Sequence, residues 1–247
     1  MQDVTQDYLD IISNQNYWFE SKLVITCTDG DKSYYENMIM SMSTNHKVFS
    51  EDYPTAGGAI SGEIDVQMVQ PTDDIPKAAK MIPYVRVTDG EDVSEWLPKG
   101  VYYIDTRQVT HNHDGLDILT LHGYDAMLKY EVDYPSDSQH SYPLLDQTVV
   151  SFLAGTVGVT VDPRTNQRMN KGYTLPLPVG YSSREVLQII AGFYGGNFIF
   201  TDEGKLLLIR LSDLPEETNY LIRETGEIFN CGEDPDNPGE YVHILLG

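Results

Sequence analysis

Three histidines, His111, His113 and His122, stand near Asp114 and Asp125 in the stretch HNHDGLDILTLHGYD, and together they have the composition of a divalent-metal site. Their spacing argues against it. His111 and His113 share one face of a strand, but Asp114-Gly115 is itself a chain-reversal signal, so HNHDG reads as a polar hairpin tip. Ser182 in GYSSRE has the look of a nucleophile, yet a GxSxG elbow needs glycine two residues past the serine and Arg184 stands there. Ser182 or Ser183 reads better as a helix cap. DPDNPGE, Asp234 to Glu240, offers alternating oxygens that suit calcium, but it lacks the spacing of a calcium loop and its two prolines favour a rigid surface turn. The adjacent acids Asp73-Asp74 and Glu91-Asp92 do not set the carboxylate separation of a glycosidase, and surface charge accounts for them. No GxGxxG or GKS/T phosphate loop is present. This reading assigns no catalytic, cofactor-binding or metal-binding residue, and no cofactor.

The chain that would position such groups has 247 residues, enough to bury a sizeable core in one large domain or two to three small ones. Its 38 acidic residues outweigh 16 basic ones for a formal charge of −22, which repels phosphate backbones and anionic membrane and argues against sequence-specific nucleic-acid binding. Cys27 and Cys231 are the only cysteines. They fit reduced thiols, with a long-range bridge as the alternative. The opening MQDVTQDYLDIISNQ has neither a basic n-region nor a long apolar run, so no signal peptide or membrane span is expected and folding in a cytoplasm is the default. Seventeen tyrosines against seven phenylalanines suit half-buried interfaces, or simply β-structure.

Hydrophobic periodicity then divides the chain. Thr5 can cap a short helix whose Leu9 and Ile12 share a face. From Phe19 the period becomes two: Leu23, Ile25 and Cys27 on one side of SKLVITC, then Ile64, Val66 and Met68 in SGEIDVQMV, followed by PYVRVTDG, KGVYYIDTRQVT and GLDILTLHGYD. Asp29-Gly30, Asp89-Gly90, Lys99-Gly100 and Asp114-Gly115 fall where reversals are needed. Four or more antiparallel strands make a small barrel or sandwich plausible. YEVDYPSDSQHSYP is a polar break. Beyond it LLDQTVVSFLAGTVGV reads as a helix, VTVD as a short strand and PRTNQRMNKG as a polar loop. In YSSREVLQIIAGFYGGNFIFTDEGKLLLIRL, a capped helix presents Val186, Leu187, Ile190 and Phe193. Gly195-Gly196 ends the helix, and a hairpin turns at Asp202-Glu203-Gly204. The expected class is α+β, mainly β: residues 1–18 an N-terminal helix or arm, 19–133 a first β-barrel, 134–211 an α/β helix–hairpin domain, and 212–247 the start of a second barrel. The strand-like end, YVHILLG, suggests a continued unit.

The ordered series TAGGAISGEIDVQM, IPKAAKMIPYVRV, SEWLPKGVYYIDTR, DGLDILTLHGYDAMLKYEVDYP and LPVGYSSREVLQIIAGFYGGNFIFTDEGKLLLIRL resembles the hub proteins of bacteriophage and prophage tails. These are baseplate or tail-tip hubs, including the N-terminal part of tail-associated lysin and tail endopeptidase proteins. The resemblance runs from about Tyr17 to about Tyr220. It implies a homotrimer in which two related barrels per chain match a six-fold tail tube or distal tail ring. Partners would be the tube or distal tail protein, the tape-measure protein and the fibre or tip proteins. The location would be the virion tail, assembled in the host cytoplasm. Only a fragment of the second barrel is present, so six-fold mimicry by this chain alone does not follow, nor does any activity fused downstream in relatives.

The expectation is therefore a structural, non-enzymatic protein. Its rivals are a cell-wall-degrading tail enzyme, glycosidase or peptidase, and a monomeric carbohydrate-binding module. In a trimeric ring, acidic residues on the channel wall would repel DNA phosphates and let the duplex pass.

Overall fold

The computed structural model describes residues 4–13, 16–49, 53–111, 115–135, 141–211, 220–222 and 228–230. The chain divides into two compact units, residues 1–209 and 210–247. The mainly-β α+β class expected from the sequence holds.

Period-two alternation becomes one antiparallel sheet of eight strands: β1 (Trp18–Cys27), β2 (Gly30–Tyr35), β3 (Ile39–Asn45), β5 (Glu63–Val69), β6 (Lys80–Thr88), β7 (Leu97–Pro98), β8 (Tyr102–His111) and β9 (Asp117–Asp125). Their order is β2-β1-β6-β8-β9-β5-β3, with β7 on β6. The inward residues fall where the alternation puts them. Leu23, Ile25 and Cys27 meet Ile64, Val66, Met68, Met81, Ile104, Leu119 and Leu121 in one core. Each such side chain, fully buried, contributes roughly 1.5–3 kcal/mol. The β1–β2 hairpin reverses over Thr28 and Asp29, since Cys27 pairs with Gly30.

The two edge strands are neighbours in sequence. β2 ends at Tyr35 and β3 begins at Ile39, so residues 36–38 hold the edges together and the sheet has to curl. Among the described residues no ladder joins β2 to β3. The antiparallel β-domain expected from the alternation, a small barrel or sandwich, is thus a curled sheet whose β2 and β3 edges are not laddered among the described residues. A closed barrel needs ladder bonds between every neighbouring pair of strands.

The connection between β3 and β5 leaves this sheet. Its short strand β4 (Gly58–Ala59) pairs in parallel with β12 (Gly196–Phe200), whose hairpin partner is β13 (Leu206–Arg210), giving the order β13-β12-β4. Against this small sheet lie α2 (Asp146–Thr156), α3 (Pro163–Arg168) and α4 (Ser183–Phe193), while β10 (Leu144–Leu145) pairs with β11 (Thr174–Leu175). Val149, Val150, Leu153, Val186, Leu187, Ile190, Phe198, Phe200, Leu206 and Leu208 make the second core.

Local chemistry explains the helices. Ser182 caps α4: its Oγ accepts from the Glu185 amide at 3.1 Å, and Glu185 Oε2 accepts from the Ser182 amide at 2.7 Å. Gly195 follows at φ +61°, a left-handed conformation that glycine adopts without a Cβ clash. Phe193, expected on the buried face, is instead 48% exposed. The buried arc runs through Ser183, Val186, Leu187, Ile190 and Ala191, and Phe193 sits at its flank. The expected polar loop PRTNQRMNKG contains α3. Asp162 caps it, Pro163 opens it, and Thr165 and Met169 are fully buried, so two inward side chains sufficed to dock it. The helix α1 (Gln6–Ser13) forms, but it docks through Ile11 while Leu9 is half exposed.

In the second unit β14 (Tyr220–Ile222) pairs antiparallel with β15 (Ile228–Asn230). DPDNPGE, Cys231 and YVHILLG lie outside the described residues.

Candidate functional site

The residues singled out for chemistry are not brought together. His111 pairs with Asp117, Nδ1 to Oδ1 at 2.6 Å, and His122 pairs with Asp65 at 2.8 Å. Asp117 and His122 are five residues apart on β9, so the two imidazoles are separated by about 17 Å along the strand. His113 and Asp114 lie outside the described residues. Asp125, the remaining member of that set, points inward instead. It accepts from the Gly62 amide at 2.6 Å, Ser61 Oγ at 3.0 Å and the Met127 amide at 2.9 Å, which caps the turn 126–130. Burial pushes its carboxyl up, and the backbone bonds partly oppose that. Asp73 accepts from Tyr34 Oη at 2.9 Å and Asp74 from Thr28 Oγ1 at 2.8 Å, so this acid pair fastens strands. Cys27 is a buried, unbridged thiol 3.7 Å from Tyr34 Oη, and burial raises its pKa.

What the fold does assemble is a junction between the curled sheet and the helix–hairpin layer, made by three polar clamps. The first is Asn197 at the start of β12. Its amide nitrogen donates to Val48 O at 2.8 Å and Thr55 O at 2.6 Å, and its Oδ1 accepts from the Gly58 amide at 2.7 Å. This one buried side chain therefore binds the β3–β5 connection at three points. The second is Arg184 in the first turn of α4. Its guanidinium donates Nε and Nη2 to Ala59 O at 3.0 and 2.8 Å, and Nη1 to Glu131. An arginine two residues past Ser182 is thus a fork that grips β4, a use the planar guanidinium suits.

The third clamp joins two turns. The Gly100 amide donates to Asp202 O at 3.1 Å, while Asp202 Oδ1 lies 3.9 Å from His46 Nε2. His46 is 2.6 Å from Tyr102 Oη, which donates to Lys99 O at 3.0 Å. Burial, reinforced by Asp125 and Asp202, drives the Tyr102 hydroxyl to a very high pKa, so it stays a donor. An open cleft of about 300 Å³ beside it is lined by His46, Arg164, Phe200, Asp202 and Leu207. All three clamps are suited to holding shape: their polar groups are engaged with backbone atoms or with each other. In the sequence alone Asn197 is a strand residue, Arg184 stands where an elbow needs glycine, and Asp202 is part of a turn. The one available signal was Asn197 itself, an amide opening the otherwise apolar strand NFIF.

No family profile matches the sequence, and no curated protein does. Solved structures do. The 43 kDa tail protein of prophage MuSo2 from Shewanella oneidensis superposes with a TM-score of 0.51, at 16% identity, over 77% of this chain and 55% of its own. This chain has the fold of a prophage tail protein. It spans little more than half of that relative. The tail protein from Neisseria meningitidis MC58 aligns with a TM-score of 0.46 and 13% identity over 76% of this chain and 50% of its own. The tail-protein fold therefore covers more than the eight-stranded sheet alone, since the aligned share exceeds the sheet's own strands.

Proposed function

We propose that this chain is a structural component of a phage or prophage tail, a hub that assembles as a homotrimer, links the tail tube or distal tail ring to the tip, and forms part of the DNA conduit. The observation that carries the reading is the fold shared with the MuSo2 tail protein. The clamped junction supports it, because a part that transmits load between tube and tip has to keep its layers in fixed register. The excess of acidic residues suits a conduit wall that must not retain DNA. The same reading makes the chain non-enzymatic, bound to tail proteins and located in the virion tail.

Sedimentation equilibrium of the full chain tests the assembly. A mass three times the 27.9 kDa chain supports the hub. A strictly monomeric chain at the highest soluble concentration argues against it. Turnover of peptidoglycan that a substitution in the His46–Tyr102–Asp202 cluster abolishes would replace the structural reading with the enzymatic one.

A further inference from the structure

Strand β1 outruns one of its neighbours. It pairs with β6 from Trp18 to Ile25, but with β2 only from Lys22 to Cys27, so among the described residues no strand lies beside Trp18–Ser21 on the β2 side. The Ser21 amide faces that side, because it donates to Glu36 Oε1 at 2.9 Å just past the end of β2. Backbone groups alternate in direction along a strand, so the Phe19 N–H and C=O face the same open side. Apolar side chains flank this edge: Phe19 and Trp18 are 53% and 51% exposed, and Tyr17 meets Phe19 edge-on with ring centroids 5.8 Å apart. Beside it opens a cleft of about 260 Å³ lined by Glu20, Ser21, Tyr35, Glu36, Asn37 and Trp96. The strands that end the sheet, β2 and β3, instead carry Lys32, Ser33, Ser41 and Ser43, the polar and charged residues that discourage pairing.

Charge limits what can occupy the edge. The described segments around it, within residues 4–22, 35–37 and 84–98, hold eight acids against two bases, Lys22 and Arg86. Arg86 is matched by Glu20, Nη2 to Oε2 at 2.6 Å, and Lys22 lies over the Trp96 ring, 4.5 Å from its centroid. Seven acids therefore face one base. Asp7 and Asp10 on α1 share a cleft with Asp92 and Val93, and Val93 bridges to Thr88, the cross-strand partner of Trp18, so this acid belongs to the same end of the β1–β6 ladder.

We propose that Trp18–Ser21 is a docking edge for an extended segment of another protein that carries lysine or arginine. The segment adds a short strand to β1 at Phe19, packs its apolar side chains on Tyr17, Trp18 and Phe19, and turns its basic side chains to the surrounding acids. An open strand edge selects an extended chain, because main-chain hydrogen bonds supply the contact and alternate side chains supply the choice. The acid around it selects a basic partner over a second copy, which brings −22 of its own. This edge is independent of the trimer and concerns a different partner.

The chain has two tryptophans, Trp18 on the edge and Trp96 in the cleft beside it, so intrinsic fluorescence of the full chain reads occupancy. Titration with a short peptide alternating valine and lysine should shift that fluorescence and saturate. The same peptide interrupted by proline, equal in charge but unable to pair as a strand, should bind roughly tenfold more weakly, and so should an alternating valine–glutamate peptide. In the protein, Phe19→Pro removes the edge amide while leaving the β6 ladder intact, and Glu91→Gln with Asp92→Asn removes acid while leaving the edge. Each should weaken binding roughly tenfold, with far-UV circular dichroism verifying the fold. Wild-type affinity in folded Phe19→Pro, or for the proline-interrupted peptide, would reduce the attraction to charge alone and overturn the edge. Equal binding of the glutamate peptide, or no loss in the Glu91/Asp92 variant, would overturn the basic partner. Amide exchange at Phe19 of the wild type decides the matter if Phe19→Pro does not fold: roughly tenfold slowing on adding peptide is expected, and no slowing overturns the proposal. A peptide-free mass that doubles in wild type and reverts in Phe19→Pro would give the edge to a second copy instead.

Discussion

Replacing Asn197 with alanine should loosen the junction between sheet and helix–hairpin layer more than any exposed substitution does. The wild-type side chain is fully buried and makes three hydrogen bonds, to Val48 O, Thr55 O and the Gly58 amide. A typical intramolecular hydrogen bond contributes about 0.5–1.5 kcal/mol net, and a buried group left without a partner costs about 1–3 kcal/mol. Val48 and Thr55 are only partly buried, so water can reach their carbonyls, and the Gly58 amide bears the larger penalty. The sum is about 2–4 kcal/mol. For a unit of this size that lowers the melting temperature by about 5–15 °C. Differential scanning calorimetry of the full chain measures the shift, and amide exchange at Gly58 and Ile60 localises it to β4, where the Ile60 amide donates to Phe198 O at 2.8 Å. Asn197→Asp keeps the acceptor for Gly58 but turns an oxygen toward two carbonyls, so it should be at least as damaging. If Asn197→Ala melts within about 1 °C of wild type and leaves Gly58 exchange unchanged, the clamp does not hold the layers together.

Gly123→Ala should cost several kcal/mol or prevent folding, because the added Cβ would lie 2.5 Å from the Tyr103 carbonyl oxygen across the β8–β9 ladder, and backbone cannot swing away as a side chain can; chemical denaturation measures it. Gly195→Val should cost about 1–3 kcal/mol from backbone conformation alone, since φ is +61° and nothing lies within 4 Å of the new Cβ; a neutral melting curve would count against the turn. The Asp162 carboxyl is held below its ordinary value of 3.8, chiefly by the Arg164 hydrogen bond, so it adds stability at pH above 3.8 that is lost as pH falls through the lowered folded value. Melting temperatures between pH 6 and pH 2 should therefore fall less steeply in Asp162→Asn than in wild type.

Much of the fold could be read from residue patterns because its information is local. Alternation along SKLVITC and SGEIDVQMV placed Leu23, Ile25, Ile64, Val66 and Met68 inside, since a strand sends successive side chains to opposite faces whatever lies around it. Ser182 and Glu185 announced the start of α4, and Gly195 its end, because caps and left-handed turns are decided within a few residues. Composition alone set the acid excess.

The tertiary structure decided what depends on distant partners. Whether eight strands close is a matter of hydrogen bonds between β2 and β3, and alternation is the same on either side of an open seam. The two-residue strand β4 has no periodicity to detect and exists only because Gly58 and Ala59 find β12, some 140 residues away. α3 was masked by its polar sequence, and only docking revealed that Thr165 and Met169 were its inward pair. His111 and His122 look close in sequence, yet the β8–β9 ladder sets them about five residue positions apart along the sheet, each with its own carboxylate. Asn197 became a clamp for the same reason: an amide's meaning depends on which backbone groups the fold brings within hydrogen-bond reach, and those groups come from residues 48, 55 and 58.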